Sequence, residues 1–289
     1  MYTLIDGKKI AAEIKQEIAD EVKLLKSLGK KEPHLAAILV GNDGSSETYV
    51  NNKVKDCAEV GFKSTLLRYD NSITEAFLLE RISELNNDDD IDGFIVQLPL
   101  PVHISENRII ESIDPSKDAD GFHPVNIGRM MIGLPGYLPA TPYGIVELIR
   151  RYNIPTSGRN CVVIGRSNIV GRPVSILLSQ KGMDATVTLV HSKTLKIKDI
   201  VKNADIVIAA IGSPGFVTAD MISEGAVVID VGTTRVPCKD SRTGFRLAGD
   251  VDFINVAPKC SFITPVPGGV GPLTRVSLLK NTLMAAKVI

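Results

Sequence analysis

Cys161-Val162-Val163-Ile164-Gly165-Arg166-Ser167-Asn168-Ile169-Val170-Gly171-Arg172-Pro173 decides the fold of this chain. Four apolar residues run into a glycine, and a second glycine precedes another apolar-rich stretch, so a buried strand turns into a helix between Gly165 and Gly171. Small residues let a backbone approach a diphosphate, and the first N–H groups of a helix, with its dipole, favour negative charge. The spacing is G-x-S-x-x-x-G and not G-x-G-x-x-G. Alone it reads equally as a tight turn; the strand-helix-strand order around it favours a dinucleotide site.

Outward from the loop, the pattern predicts a helix over 143–152, a strand over 160–164, a helix over 169–181 and strands over 185–190, 205–209 and 226–231. That is the period of a doubly wound parallel sheet, whose ligands lie at the carboxyl ends of the strands. A site preferring NAD usually ends its second strand with a carboxylate for the ribose 2′-hydroxyl. Here Val190 leads into His191-Ser192-Lys193-Thr194, with no acid, and Arg166 adds a second cation; Asp184 stands at the other end of the strand. A 2′-phosphate suits this chemistry, so NADP is the expected cofactor. An exposed basic turn is the alternative.

Upstream lies a second α/β block. Ile10, Ile14, Ile18, Val22 and Leu25 recur at helical steps over 7–28, and strands over 34–40, 63–69 and 93–98 alternate with helices over 45–60 and 74–85. A sheet covered by helices is expected. Residues 99–142 are rich in Pro and Gly, which places a domain connection near their end. Residues 265–272 read as a rigid glycine-rich loop and 273–288 as a closing helix. The expected division is 1–142 plus 273–289 for one domain and 143–272 for the nucleotide-binding domain.

Composition agrees with an ordinary globular protein. The 289 residues suffice for about two domains, and 44% hydrophobic and 23% charged residues exclude disorder and coiled coil. Balanced charge, 33 Lys+Arg against 33 Asp+Glu, supplies no global field for nucleic acid or an anionic membrane, so small ligands are the expected partners. Apolar runs fall far short of the ~20 residues that cross a bilayer, and the N-terminus lacks the pattern of a secretory signal; a cytoplasmic protein is expected. Cys57, Cys161, Cys238 and Cys260 form no C-x-x-C pair, and the four histidines show no ligand spacing, so no metal site is expected.

Tyr49 and Lys53 lie four residues apart on one predicted helix, hence on one face. In isolation such a pair is a packed aromatic beside a lysine stem. Further segments change that reading: Ser46-Glu47-Thr48-Tyr49-Val50-Asn51-Asn52-Lys53, Val96-Gln97-Leu98-Pro99-Leu100-Pro101, Lys117-Asp118-Ala119-Asp120-Gly121-Phe122, and Thr264-Pro265-Val266-Pro267-Gly268-Gly269-Val270-Gly271-Pro272. With the glycine loop between them, the chain resembles the bifunctional methylenetetrahydrofolate dehydrogenase/methenyltetrahydrofolate cyclohydrolase (FolD) family from about Asp6 to its C-terminal helix. The Pro-Gly-Gly-Val-Gly-Pro run and Gln-Leu-Pro-Leu-Pro carry the resemblance most specifically.

The resemblance implies an N-terminal catalytic domain, a Rossmann-like NADP domain, tetrahydrofolate one-carbon derivatives bound in the cleft between them, and a homodimer. It implies Lys53 as the catalytic lysine, Tyr49 as the aromatic beside the pterin, Gln97 as the lysine's polar partner and Asp120 as the acid on the pterin ring. Leu98, Pro99, Gly269 and Pro272 would shape the folate slot; Gly165, Arg166, Ser167, Gly171 and Ser192 would meet the NADP phosphates, with Thr233 near the adenosine or ribose. Asp92-Gly93-Phe94 duplicates the tripeptide at Asp120, and residue chemistry alone does not separate them, since Asp-Gly is a common turn.

The chemistry fits these residues. Hydride transfer asks for donor and acceptor carbons held face to face. Hydration of a methenyl cation asks for proton handling, which a buried lysine with a lowered pKa performs near neutrality. Arg275 departs from the pattern, standing where an apolar residue is common; it is either exposed at the start of the last helix or a cation near the cofactor. The competing readings are a protein with one of the two activities, a dehydrogenase of the shikimate type, and a non-catalytic NADP or folate sensor. An intact Tyr49, Lys53, Gln97 and Asp120 set argues against the first and the last, and the Pro-Gly-Gly-Val-Gly-Pro run is unexplained by the second.

Overall fold

The computed structural model describes residues 1–42, 44–238, 241 and 244–288. In chain order the elements are β1 (Thr3–Leu4), α1 (Gly7–Ser27), β2 (His34–Val40), α2 (Gly44–Val60), β3 (Lys63–Tyr69), α3 (Glu75–Asn86), β4 (Gly93–Val96), α4 (Glu106–Ser112), α5 (Pro124–Met131) and α6 (Ala140–Arg151). There follow β5 (Asn160–Ile164), α7 (Gly171–Ser179), β6 (Thr186–Val190), α8 (Ile197–Lys202), β7 (Ile206–Ala209), β8 (Val227–Asp230), β9 (Thr234–Pro237), β10 (Phe245–Ala248), α9 (Phe253–Val256), β11 (Phe262–Ile263) and α10 (Val270–Val288).

The chain divides into two compact units, one of Ala12–Ala140 with Arg275–Ile289, the other of Met1–Ala11 with Thr141–Thr274. In the first, β3, β2 and β4 form a parallel sheet in that order, with Leu35 opposite Gly93 and Ser64. All seven residues of β2 are buried, as a central strand covered on both faces requires. One face packs Ala36, Ile38, Phe94 and Val96 against Leu78, Ile82 and Ile109. Thr74 caps α3, accepting from the Phe77 N–H at 3.1 Å.

In the second unit the parallel order is β1-β11-β8-β7-β5-β6. The chain runs from β5 to β6 on one side and then to β7 on the other, which makes the carboxyl ends of β5 and β7 the switch point where open α/β sheets bind ligands. Val162, Ile164, Val207, Val228 and Ile263 pack one face. β9 and β10 form a separate antiparallel hairpin.

Three features depart from the sequence reading. Residues 99–142 hold α4 and α5, and α5 begins with Pro124, which occupies a first helical turn without losing a needed hydrogen bond. α10 starts at Val270, so Gly271 and Pro272 belong to its first turn and not to a loop. Met1–Ala11 groups with the nucleotide-binding unit, because β1 pairs in parallel with β11.

Candidate active site

On α2, Ser46, Val50, Lys53, Cys57 and Val60 recur at three- and four-residue steps, and all are buried. Lys53 therefore stands on the inward face of an amphipathic helix, where an ammonium ion is costly without partners. Tyr49, one turn earlier, is 39% exposed. The Lys53 ammonium donates to Gln97 Oε1 at 3.2 Å. Gln97 follows β4, and its N–H donates to the Ile38 carbonyl at 2.9 Å, extending the sheet by one bond. The Leu98-Pro99 peptide is cis. Leu98 is half-buried and Pro99 exposed.

Asp120 sits on a tightly held segment. The Phe94 N–H donates to the Lys117 carbonyl at 2.9 Å, so residues 117–119 run along the edge of β4. The Asp118 carboxylate then accepts from the N–H groups of Gly121 (3.0 Å), Phe122 (3.2 Å) and His123 (2.8 Å) and from Asn126 Nδ2 (2.9 Å). From α10, Asn281 donates to the carbonyls of Ala119 (2.8 Å) and Leu138 (2.9 Å). Gly121 is required here: its φ is +73°, and a Cβ would lie 2.4 Å from the Leu138 carbonyl carbon. Asp118 went unassigned in the sequence reading; its place two residues before Asp120, ahead of an Asp-Gly turn, is the signal for a carboxylate that collects turn amides.

Lys53 and Asp120 perturb each other. Burial drives the Lys53 pKa below the ordinary lysine value, opposed by the charges of Asp120 and Cys57. Burial raises the Asp120 pKa, opposed by Lys53 and reinforced by Asp118. The Cys57 thiol is pushed up to about 12 by burial. The duplicate tripeptide at Asp92 is now distinguished. Asp92 is buried at the start of β4, accepts the His34 N–H at 2.7 Å and pairs with Lys31 at 2.9 Å, so its carboxylate is committed to the sheet edge.

The other unit holds the glycine loop. Gly165 has φ +117°, and a Cβ there would lie 2.2 Å from the Ala210 carbonyl oxygen, so the turns after β5 and β7 touch backbone to backbone. A Cβ on Gly171 would meet the Gly165 oxygen at 2.0 Å, which holds the start of α7 against the loop. Ser167 Oγ accepts from the N–H groups of Val170 (3.2 Å) and Gly171 (3.3 Å), capping the helix entry. Arg166 is exposed. β5 and β6 are neighbours with Ile164 opposite Val190, so Arg166 and the exposed pair Ser192 and Lys193 leave adjacent strand ends.

No carboxylate stands at that end of β6, while Asp184 lies at its start and accepts the Gly182 N–H at 3.1 Å. A backbone cradle closed to any Cβ, flanked by cations and lacking a ribose-binding acid, fits NADP. Thr233 is exposed just after β8. Gly269 is buried and Pro272 half-buried; a Cβ on Gly269 would lie 2.6 Å from the Pro265 oxygen.

Two buried acids in this unit were not anticipated. Asp230, at the end of β8, accepts from the N–H groups of Gly232 (3.0 Å), Asp250 (2.9 Å) and Val251 (3.0 Å). Burial nevertheless raises its pKa to about 6. Asp250 accepts from the N–H groups of Ile211 (2.7 Å) and Gly212 (3.0 Å), shaping the turn after β7. An acid at a strand end followed by Val-Gly is the signal that locates Asp230. Among the described residues no group of three or more His, Cys, Asp or Glu side chains could hold a metal ion, and no helix is long and apolar enough to cross a membrane.

Residues 5–120 match the family model for the tetrahydrofolate dehydrogenase/cyclohydrolase catalytic domain, and residues 139–289 match the model for its NAD(P)-binding domain. The chain belongs to the tetrahydrofolate dehydrogenase/cyclohydrolase family. It is 63% identical over 288 residues to the bifunctional protein FolD of Porphyromonas gingivalis, covering 99% of this chain and 97% of that one. Among solved structures, the bifunctional FolD methylenetetrahydrofolate dehydrogenase/cyclohydrolase of Campylobacter jejuni superposes with a TM-score of 0.94 at 46% identity, covering 100% of this chain and 99% of that one. The Trypanosoma brucei FolD, a methylenetetrahydrofolate dehydrogenase-cyclohydrolase complexed with NADP cofactor and inhibitor, gives 0.95 at 41% identity, covering 99% and 98%. In this member of the family, Tyr49, Lys53, Gln97, Leu98, Pro99 and Asp120 share the unit matched as catalytic. Gly165, Arg166, Ser167, Gly171, Ser192 and Thr233 share the unit matched as NAD(P)-binding, which also contains Gly269 and Pro272.

Proposed function

We propose that the chain oxidises 5,10-methylenetetrahydrofolate to 5,10-methenyltetrahydrofolate with NADP as hydride acceptor, and then hydrolyses the product to 10-formyltetrahydrofolate. The observation that carries the residue assignment is the buried Lys53 ammonium on Gln97 Oε1, within the field of Asp120.

In this reading Ala12–Ala140 with Arg275–Ile289 form the folate-binding catalytic domain, and Met1–Ala11 with Thr141–Thr274 the NADP domain. NADP, when bound, supplies the nicotinamide carbon that takes the hydride. Gly165, Ser167 and Gly171 bring the start of α7 to its diphosphate, Arg166 and Ser192 meet phosphate oxygens, and Thr233 lies toward the adenosine or ribose.

For the folate, Asp120 accepts the adjacent N–H donors of the pterin edge and Tyr49 lies beside the ring, while Leu98, Pro99, Gly269 and Pro272 shape the slot. Lys53 handles the protons of hydration: its neutral amine takes a proton from the attacking water, and the resulting ammonium returns one to the ring nitrogen as the C–N bond breaks. The carbinol hydroxyl releases its proton to solvent and becomes the formyl C=O. Gln97 orients that amine. The reading extends to a cytoplasmic homodimer, whose association sedimentation measures.

The test separates binding from chemistry. Lys53→Met should abolish hydration of methenyltetrahydrofolate while folate and NADP still bind; a variant that hydrates at the wild-type rate removes Lys53 from the mechanism. In the wild type, turnover of 5,10-methylenetetrahydrofolate with NADP should proceed without lasting accumulation of the methenyl compound. Failure to reduce either NADP or NAD would sink the dehydrogenase reading.

A further inference from the structure

The Arg275 side chain is about three-quarters buried. It extends from α10 to Asp56 on α2, with Nε 2.8 Å from Oδ2. Asp56 is 4% exposed, and its other oxygen pairs with Lys15 of α1 at 3.2 Å. Lys15 also reaches Glu59, one turn further along α2. Among the described residues neither Oδ2 nor Arg275 Nε has a hydrogen-bond partner, so their contact is charge against charge.

Asp56 follows Lys53 by three residues, which places the two side chains as neighbours on the helix. A buried carboxylate at i+3 with only Lys15 left to pair it would favour the charged form of Lys53. We propose that Arg275 is a positioning residue for the hydration step: with Lys15 it ties α2 to α10 and α1 through Asp56, and it cancels the Asp56 charge beside Lys53.

The groups around Lys53 are few. Asp120 faces it from the 117–122 segment and Cys57 from its own helix, Asp56 stands at the i+3 position of that helix, and the neutral amide of Gln97 caps it from the end of β4. Lys15, Glu59 and Arg275 stand behind Asp56. Of the two acids near the lysine, Asp120 is the one assigned to substrate; the cations neutralise the other.

This inference rests on the assignment of Lys53 to proton handling, and the experiment distinguishes the two. The pH–rate profile of methenyltetrahydrofolate hydrolysis, above the uncatalysed rate, is measured for wild type, Arg275→Met, Asp56→Asn and the double variant. Arg275→Met should move the limb set by Lys53 upward by about 0.5 pH unit or more, and Asp56→Asn should move it downward, because two cations then face the lysine. The double variant should return to within ~0.2 of wild type. Hydration at pH 7 should fall further than NADP reduction in Arg275→Met.

Coincident midpoints, shifts of both single variants in one direction, or a parallel loss of both activities would overturn the proposal. If Arg275→Met does not fold, Asp56→Asn against the double variant decides: equal midpoints mean that Arg275 exerts no influence. Retained hydration in Lys53→Met overturns the mechanistic assignment itself, whereas an inactive Lys53→Met with unmoved midpoints elsewhere overturns only the role of Arg275.

Discussion

Gln97 presents its oxygen to Lys53 because its nitrogen is occupied. Nε2 donates to the Leu98 carbonyl at 2.8 Å, which leaves Oε1 to accept the ammonium at 3.2 Å. An amide held at one end is a one-way acceptor, and Gln97 orients the lysine without adding a charge of its own.

Gln97→Ala removes that acceptor and leaves the amine free to rotate. Hydration should slow by roughly 10²-fold, the lower range for a misplaced proton-transfer group, while NADP binding is unchanged. Stopped-flow hydration of methenyltetrahydrofolate and calorimetric titration with NADP check both halves.

Asp118 and Asp120 lie two residues apart and should fail differently. Asp118→Ala strips the acceptor from three backbone N–H groups and from Asn126, so thermal stability should drop by about 2–3 kcal/mol and folate affinity should fall with it. Asp120→Asn should raise the KM for folate with little change in Tm. Scanning calorimetry set beside KM for the two variants tells them apart; equal loss of stability in both would contradict the division.

The alternation of strands and helices was legible because each core element carries its own period. β2, β3 and β5 run over the residues expected, since their apolar runs are bounded by turn residues at both ends. The helices inside 99–142 were not, because Pro124 and nearby glycines read as loop while in fact marking a helix start. In the site, helical spacing placed Tyr49 and Lys53 on one helix. Nothing local could separate Asp92 from Asp120 or send Arg275 to Asp56, since those outcomes depend on partners far away in the chain. His34, Lys31 and α10 settle them only once the units fold.

Arg166 and Lys193 stand on adjacent strand ends with no acid between them. Replacing both by Ala should lower kcat/KM for NADP by 10- to 100-fold, about 1.4–2.7 kcal/mol, and change that for NAD much less. The preference should also shrink as salt rises in the wild type. Equal losses with both nucleotides would locate the 2′-phosphate elsewhere.

Asp230 supplies a pH signature. Its pKa rises from an ordinary 3.8 to about 6 in the folded chain, so between those values the native state binds more protons than the unfolded one. This contribution is full below the unfolded value and is lost as pH rises through 6. Asp230→Asn should therefore flatten the dependence of unfolding free energy on pH between about 4 and 6. Urea titrations at four pH values measure the slope, and an unchanged slope assigns it to other groups.

The pairing of β1 with β11 has a consequence for synthesis of the chain. Thr3 leaves the ribosome about 260 residues before its partner Phe262 is made. The edge of the six-stranded sheet thus waits for β11 to be made, and its closure is a long-range event. No single cut yields two intact halves: a fragment ending at 142 carries β1 with nothing to pair it, and one beginning at 143 lacks the strand that finishes its sheet.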